Sequence, residues 1–307
     1  MNGDGDPTKS SATALGNLVM ACLANTERDR GLATVDPIAP DLLRWNDGWA
    51  AAARLNFLHP AIRLASERFM PGIYGFALAR MKHMDLIVRQ EVAATIDTLV
   101  ILGAGYDTRA YRMRRELSGI QVFEVDRPAT SRDKRKRLAK DLRSMPENID
   151  FVEADLAQHD LIDKLASRGH RLSSRTLFLL SGVSMYLPEA AMLDLFDQVA
   201  THSSQRTSLV FDYIDPSVLV EPKRYYGNEW VKYATKLGEK PVWGIRAGGT
   251  SELLTSHGLQ LASNLNADEL TASYLRRADG AAAARPFQFG AIAHAFAGEA
   301  SGSERGD

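Results

Sequence analysis

Cysteine is nearly absent. The single Cys22 excludes an internal disulfide and a cysteine-built zinc site, and no metal site is expected. It also fits a reducing, cytoplasmic setting. Long apolar runs are missing as well: nothing approaches the roughly 18 residues that would read as a membrane span. Neither sign of charge dominates. The formal net charge of -1 gives no bulk field that would draw the chain to nucleic acid or an anionic membrane surface. The opening residues, Met-Asn-Gly-Asp-Gly-Asp, are acidic and lack the basic start of a secretion signal. What is present is apolar mass. With 307 residues, 45% of them hydrophobic, the chain can bury a large core as one elaborated domain or two smaller ones. Residues 1–11 and 298–307, rich in Gly, Ser and charge, read as disordered ends.

Hydrophobic spacing divides the rest. From Ala12 to about Ala94 it is helical: Leu15, Leu18, Val19, Cys22 and Leu23 recur at i, i+3, i+4, and further helical stretches follow Pro40 and Pro60. The last of these helices covers about Phe76 to Ala94. Beyond it, strands and helices alternate. Strands are predicted near Thr98–Leu102, Gln121–Val125, Asp150–Glu153, Thr176–Leu180 and Ser208–Ile214, with helices near Ala110–Leu117, Ser131–Arg143, Asp160–Arg168 and Pro188–Thr201. Such alternation predicts right-handed βαβ units on one parallel sheet, with ligands at its carboxyl edge. From Pro216 to about Gly249 the rhythm breaks into an aromatic-rich insertion holding Tyr225, Tyr226, Trp230, Tyr233 and Trp243, suited to covering an active site. A helix at Thr250–His257, a strand at Leu259–Ser263 and a final strand at Phe287–Phe296 complete the pattern.

The most telling segment is Thr98-Leu-Val-Ile-Leu-Gly-Ala-Gly105. It reads as a buried strand, a turn without Cβ atoms and a helix start. Some 20 residues later, Val122-Phe-Glu-Val-Asp126 is a second apolar run ending in carboxylates, which fits the first half of a nucleotide-binding sheet. A dinucleotide fingerprint requires Gly or Ala at the third small position, where this chain has Thr108. That departure speaks against a pyrophosphate on the helix N-terminus. A ligand without phosphate, such as S-adenosylmethionine, tolerates it. Its ribose would use a carboxylate after the second strand, Asp126 or, less favoured, Glu124.

Four strings together resemble the leucine carboxyl methyltransferase family, and most closely its bacterial branch of small-molecule and polyketide O-methyltransferases. They are Leu102-Gly-Ala-Gly-Tyr-Asp-Thr-Arg-Ala-Tyr-Arg112, Glu124-Val-Asp-Arg-Pro128 with Lys134 following, Ala154-Asp-Leu156, and Ser181-Gly-Val-Ser-Met-Tyr-Leu187. The resemblance implies an α/β fold: a doubly wound, mostly parallel seven-stranded sheet of Rossmann-like methyltransferase type. It would be a single domain, with a helical N-terminal cap (12–94), a cofactor-binding core (95–215), a lid insertion (216–249) and C-terminal strands (250–297).

The same resemblance assigns roles. Arg80 would hold the cofactor carboxylate with its guanidinium fork, with Lys82 a weaker candidate. Gly103 and Gly105 would admit the methionine moiety, Asp126 would bind the ribose hydroxyls, and Asp155 with the Leu156 backbone would contact the adenine end. Tyr186 would stand at the substrate side, its phenol orienting the acceptor oxygen. Arg109 and Arg112 would tie the turn to carboxylates, Asp107 among them. Ser181 departs from the family, which usually carries a glutamate there; serine cannot offset the cofactor's positive charge. Asp212 and Tyr213 are weaker candidates, on strand position alone.

Methyl transfer from a sulfonium needs alignment and exclusion of water more than it needs a base. His83, His159, His202 and His257 have no motif support as bases, which favours a carboxylate or an acidic hydroxyl as acceptor. The insertion, with Trp45 and Trp49, would form an apolar acceptor pocket and lid. The basic run from Arg132 to Arg143 reads as a solvated helix face. The implied activity is S-adenosylmethionine-dependent O-methylation of a small-molecule acceptor. Two alternatives are a protein C-terminal carboxyl methyltransferase and a cofactor-binding protein without turnover.

Overall fold

A computed structural model describes residues 11–27, 29, 32–34, 36–141, 145–201 and 207–297. The predicted disordered ends (apart from residue 11), His202 and Arg143 lie outside them. Seven strands form one sheet: β1 (Thr98–Leu102), β2 (Gln121–Asp126), β3 (Ile149–Glu153), β4 (Thr176–Leu180), β5 (Ser208–Ile214), β6 (Leu259–Leu265) and β7 (Gly290–Ala297). Their order is β3-β2-β1-β4-β5-β7-β6, parallel from β3 to β5, with β7 antiparallel to both its neighbours. The order turns back between β1 and β4, where sheets of this kind open a crevice at the carboxyl edge. Leu102 lies opposite Val125 on one side and Leu180 on the other, so β1, β2 and β4 end together at that crevice.

The burial of β1 follows from its position in the centre of a sheet covered on both faces. Leu99 and Ile101 point into one core, with α1 (Ala12–Asn25) and α4 (Ile73–Ala93). Val100 and Leu102 point into the other, with α7 (Leu161–Ser167), α8 (Glu189–Thr201) and α11 (Thr250–Ser256). The N-terminal cap adds α2 (Ala39–Leu42), two 3₁₀ stretches (Gly48–Arg54 and Asn56–Leu58) and α3 (His59–Phe69). The insertion after β5 forms α9 (Ser217–Val220) and α10 (Asn228–Lys236), and α12 (Ala267–Tyr274) packs on α4.

Three local expectations change. The helix after the glycine turn is only one turn, α5 (Arg109–Arg112), because its arginines are drawn into ion pairs beneath the turn. The last strand starts at Gly290, since Phe287 stacks between Phe76 and Phe289, each with centroids 4.2 Å away, instead of pairing. The basic helix α6 (Pro128–Asp141) is not wholly solvated. Lys134 is buried and pairs with Glu124 at 2.8 Å, while Arg137 is buried against Asp47 at 2.6 Å. Among the described residues, no helix is long and apolar enough to cross a membrane.

Candidate active site

The crevice holds a cavity of about 1030 Å³, near the upper end for a ligand cleft. Gly103 and Gly105 form its floor with φ of +62° and +44°, a left-handed backbone that favours glycine. Close approach adds to this: a Cβ on Gly103 would lie 2.6 Å from the Val183 side chain. The Asp126 carboxyl, at the tip of β2, accepts from the Gly105 N–H at 2.6 Å and the Arg127 N–H at 2.7 Å. Burial raises its pKa, and those two amides partly oppose the rise. Glu124 does not line the cavity. It is buried behind β2 with Lys134 and the Tyr111 hydroxyl, which makes it part of the core and leaves Asp126 as the carboxylate on the wall.

Asp155 and Leu156 line the far end, where an Asp155 oxygen accepts from the Ala157 N–H at 3.0 Å. Ser181 lines the β4 side. The next residue, Gly182 (φ +71°), donates its N–H to Asp212 Oδ1 at 2.6 Å. A Cβ there would lie 2.8 Å from Arg80 Nη1.

Arg80 stands where this wall meets α4. Nη1 donates to Asp212 Oδ2 and Nη2 to Asn17 Oδ1, each at 2.8 Å, while the buried Nε has no hydrogen-bond partner. Both terminal nitrogens are therefore engaged, and the Nε–H is left without a partner for a ligand to supply. Lys82 lines neither cavity. Asp212, a candidate on strand position alone, is fully buried and acts by holding Arg80 and Gly182. Tyr213 is turned away, bonded to Thr250 at 2.7 Å.

Beneath the turn, a chain of buried ion pairs fixes its shape. Asp85 binds Arg109 Nε at 2.8 Å and both terminal nitrogens of Arg112 at 2.7 Å. Asp107 closes on Arg109. Thr108, at the position that disfavoured a dinucleotide, donates to Asp36 from the N-terminal cap at 2.5 Å. Nearby arginine charge holds Asp85 and Asp107 below the ordinary carboxylate range, although burial opposes it.

A second, smaller cavity of about 90 Å³ adjoins the first and shares Thr13, Asn17, Ala77, Arg80, Gly182 and Tyr186 with it. Its own lining is mostly apolar and includes Met70, Phe76, Trp49 of the cap and Trp230 of the insertion. Burial, and then the charge of Glu239, push the Tyr186 phenol well above its ordinary pKa, so it remains a neutral donor. Trp45 is absent from this wall. It is 67% exposed, with Arg54 over its ring at 5.2 Å. Trp243 packs in the core against Phe196. Neither cavity is lined by a described histidine.

Sequence reasoning did not single out Glu239. This insertion residue lines the larger cavity and accepts from the Thr13 amide at 3.2 Å and from the Thr13 hydroxyl. It joins the insertion to the first turn of α1 across the mouth of the cleft. No motif marks it, because the contact joins positions 226 residues apart.

A seven-stranded sheet in this order, with a glycine turn and an acid at the switch point, defines the Rossmann-like methyltransferase class. Two solved structures share the fold. A duf574 family protein from Streptomyces avermitilis has a TM-score of 0.58 at 15% identity, covering 78% of this chain and 90% of that one. A Thermobifida fusca protein, provisionally named a methyltransferase, has a TM-score of 0.57 at 17% identity, covering 88% and 97%. Residues 14–200 match the leucine carboxyl methyltransferase family, and the chain belongs to it. Two relatives that match the chain are provisionally named S-adenosylmethionine-dependent methyltransferases.

Bacillus subtilis YktD, provisionally named as such an enzyme, is 30% identical over 194 residues, covering 63% of this chain and 64% of the relative. The match thus spans just under two thirds of that protein's length. A Mycolicibacterium paratuberculosis protein of the same provisional name is 29% identical over 300 residues, covering 87% and 93%.

Proposed function

We propose that this chain transfers the methyl group of S-adenosylmethionine to an oxygen, carboxylate or hydroxyl, of a small-molecule acceptor. The observation that carries the reading is the shared wall: a polar cleft at the switch point opens at Arg80, Asn17 and Tyr186 onto an apolar compartment. Such a junction suits a polar cofactor on one side and an apolar acceptor on the other.

The residues present fit the cofactor. The orphaned Arg80 Nε is a buried donor in need of an acceptor, which a carboxylate supplies. In this reading, Gly103 and Gly105 admit the methionine backbone, Asp126 takes the ribose hydroxyls, and Asp155 with Leu156 borders the adenine. When bound, the cofactor supplies an electrophilic methyl group on a sulfonium. The protein's part is alignment and dryness. Tyr186, kept neutral, can donate a hydrogen bond to the acceptor oxygen, and the Glu239–Thr13 contact holds α1 over the mouth of the cleft. Ser181 leaves that wall without the family's glutamate, and the carboxylate of Asp212 next to it is already spent on Arg80.

Cell extract supplied with enzyme and methyl-labelled S-adenosylmethionine tests the reading. Label should enter the small-molecule fraction as an ester or ether, which base treatment distinguishes. Label confined to protein would overturn the small-molecule assignment. Cofactor binding with no transfer would favour a binding protein.

A further inference from the structure

We infer that the apolar compartment takes the acceptor, and that the acceptor is compact and uncharged: a single ring or short branched chain carrying a hydroxyl. This rests on the methyltransferase reading above and narrows it.

Size comes first. A dry, apolar cavity of about 150 Å³ binds benzene. The compartment measures about 90 Å³ and so admits no polycyclic skeleton. Met20, Met70 and Met185 line it, and flexible thioethers yield enough to seat one ring. Trp49, Phe76, Trp230 and Phe287 offer ring faces and edges to an aromatic or branched aliphatic group.

Charge decides the functional group. Arg80 is the one formally charged residue on the compartment wall, and Asp212 neutralises it at 2.8 Å. Its remaining Nε–H is assigned to the cofactor carboxylate. The other polar groups on the wall, Thr13, Asn17, Ser66, Tyr186 and Tyr233, are neutral. Glu239, held by Thr13 and 3.8 Å from Arg127, borders the larger cavity and brings no positive charge to this wall. A carboxylate buried here would lose its hydration and find no unpaired protein cation on the wall, with only the cofactor's sulfonium facing it. A hydroxyl needs no cation, and Tyr186 can serve as its donor. In the transfer, an O–CH₃ bond forms as the cofactor's S–CH₃ bond breaks, and the hydroxyl proton passes by way of the Thr13 hydroxyl, which lines both cavities, to the Glu239 carboxylate bonded to it.

The test uses the full chain saturated with S-adenosylhomocysteine and, in a parallel titration, with sinefungin, whose ammonium stands in the sulfonium's place; the binding of each is first measured by calorimetry. Two probes with the same methyl-substituted ring, p-cresol and p-toluate, and neutral p-toluamide as the size match for p-toluate, are then titrated at neutral pH with tryptophan emission as the readout, since Trp49 and Trp230 line the compartment. The p-cresol and p-toluamide should each bind at least tenfold tighter than p-toluate, with either analogue bound. Gly16 lines the compartment, and a Cβ there meets nothing within 4 Å, so Gly16→Leu fills the space. This variant should lose p-cresol binding while its affinity for S-adenosylhomocysteine stays within twofold. Binding of p-toluate equal to or tighter than that of either neutral probe, no binding of any probe, or p-cresol binding that survives Gly16→Leu would each overturn the inference. The wild-type comparison stands even if the variant fails to fold. Failure of S-adenosylhomocysteine to bind would instead count against the cofactor reading.

Discussion

The two compartments of the cleft are built by opposite means. The polar one stands on a turn whose backbone is fixed from below by buried ion pairs, Asp85 with Arg109 and Arg112 and Asp107 with Arg109, and by the hydrogen bond from Thr108 to Asp36. The apolar one has a single ion pair at its edge, Arg80 with Asp212, and otherwise thioethers and rings. A rigid, charge-locked floor suits a ligand common to a whole family. An adaptable apolar wall suits an acceptor that differs from one member to the next. The contrast also separates stability from specificity, and each prediction below acts on one side of it.

The largest effect is expected from the floor. Asp85→Ala leaves Arg109 and Arg112 buried without their main counter-charge, a change that typically costs about 3–5 kcal/mol. A lowered urea midpoint in chemical denaturation would register it. A shift under about 1 kcal/mol would show that the network is not what holds the turn.

Asp126→Ala should act on binding more than on folding. Losing hydrogen bonds from a charged acceptor costs about 1.5–3 kcal/mol, or roughly a ten- to hundredfold weaker cofactor Kd. Arg80→Ala should also weaken it. An unchanged constant in both variants would refute this placement of the cofactor.

Acid should act first outside both compartments, in the core behind α4. His83 lies within one turn of Arg80 on α4, bonded to Tyr274, and burial lowers its pKa from 6.5. The unfolded chain then takes up this proton at higher pH than the folded one, so stability falls as pH drops below 6.5. His294, lowered to about 4 by burial and by His83, has the same sign. Glu91, 3.5 Å from His294 and raised by burial, opposes it. The lowered Asp85 and Asp107 have the same sign in a lower window: their contribution is complete above the ordinary carboxylate range and is lost as pH falls through it. Denaturation between pH 7 and 5 should therefore show a falling unfolding free energy, with a shallower slope in His83→Gln. Identical slopes would remove His83 from the account.

The smallest effect is expected at Ser181. Restoring the family's residue with Ser181→Glu should tighten cofactor binding about tenfold or less, in line with one partly buried charge interaction. Weaker binding would mean that the wall has been shaped for serine.

The same contrast explains what the sequence disclosed. The polar side comes from contiguous motifs, so Gly103, Gly105, Asp126, Asp155 and Ser181 could be placed on one cavity wall by reading along the chain. Strands β1, β4 and β5 matched to the residue, because buried parallel strands read as unbroken apolar runs. The apolar side draws on α1, α3, α4, α10 and the approach to β7, and side chains so far apart in sequence leave no joint signal. Hence Trp49 and Trp230 could be grouped correctly, while Trp45 and Trp243 could not be told apart from them. Charged residues misled in the same way. Lys134 and Arg137 read as solvated until the tertiary fold brought Glu124 and Asp47 beneath them.

The most direct test of the central claim is calorimetry with S-adenosylmethionine and NADH on the full chain. Saturable binding of S-adenosylmethionine at one site, weakened in Asp126→Ala, with no heat from NADH, is the result predicted. NADH binding, or no response to S-adenosylmethionine, would contradict it.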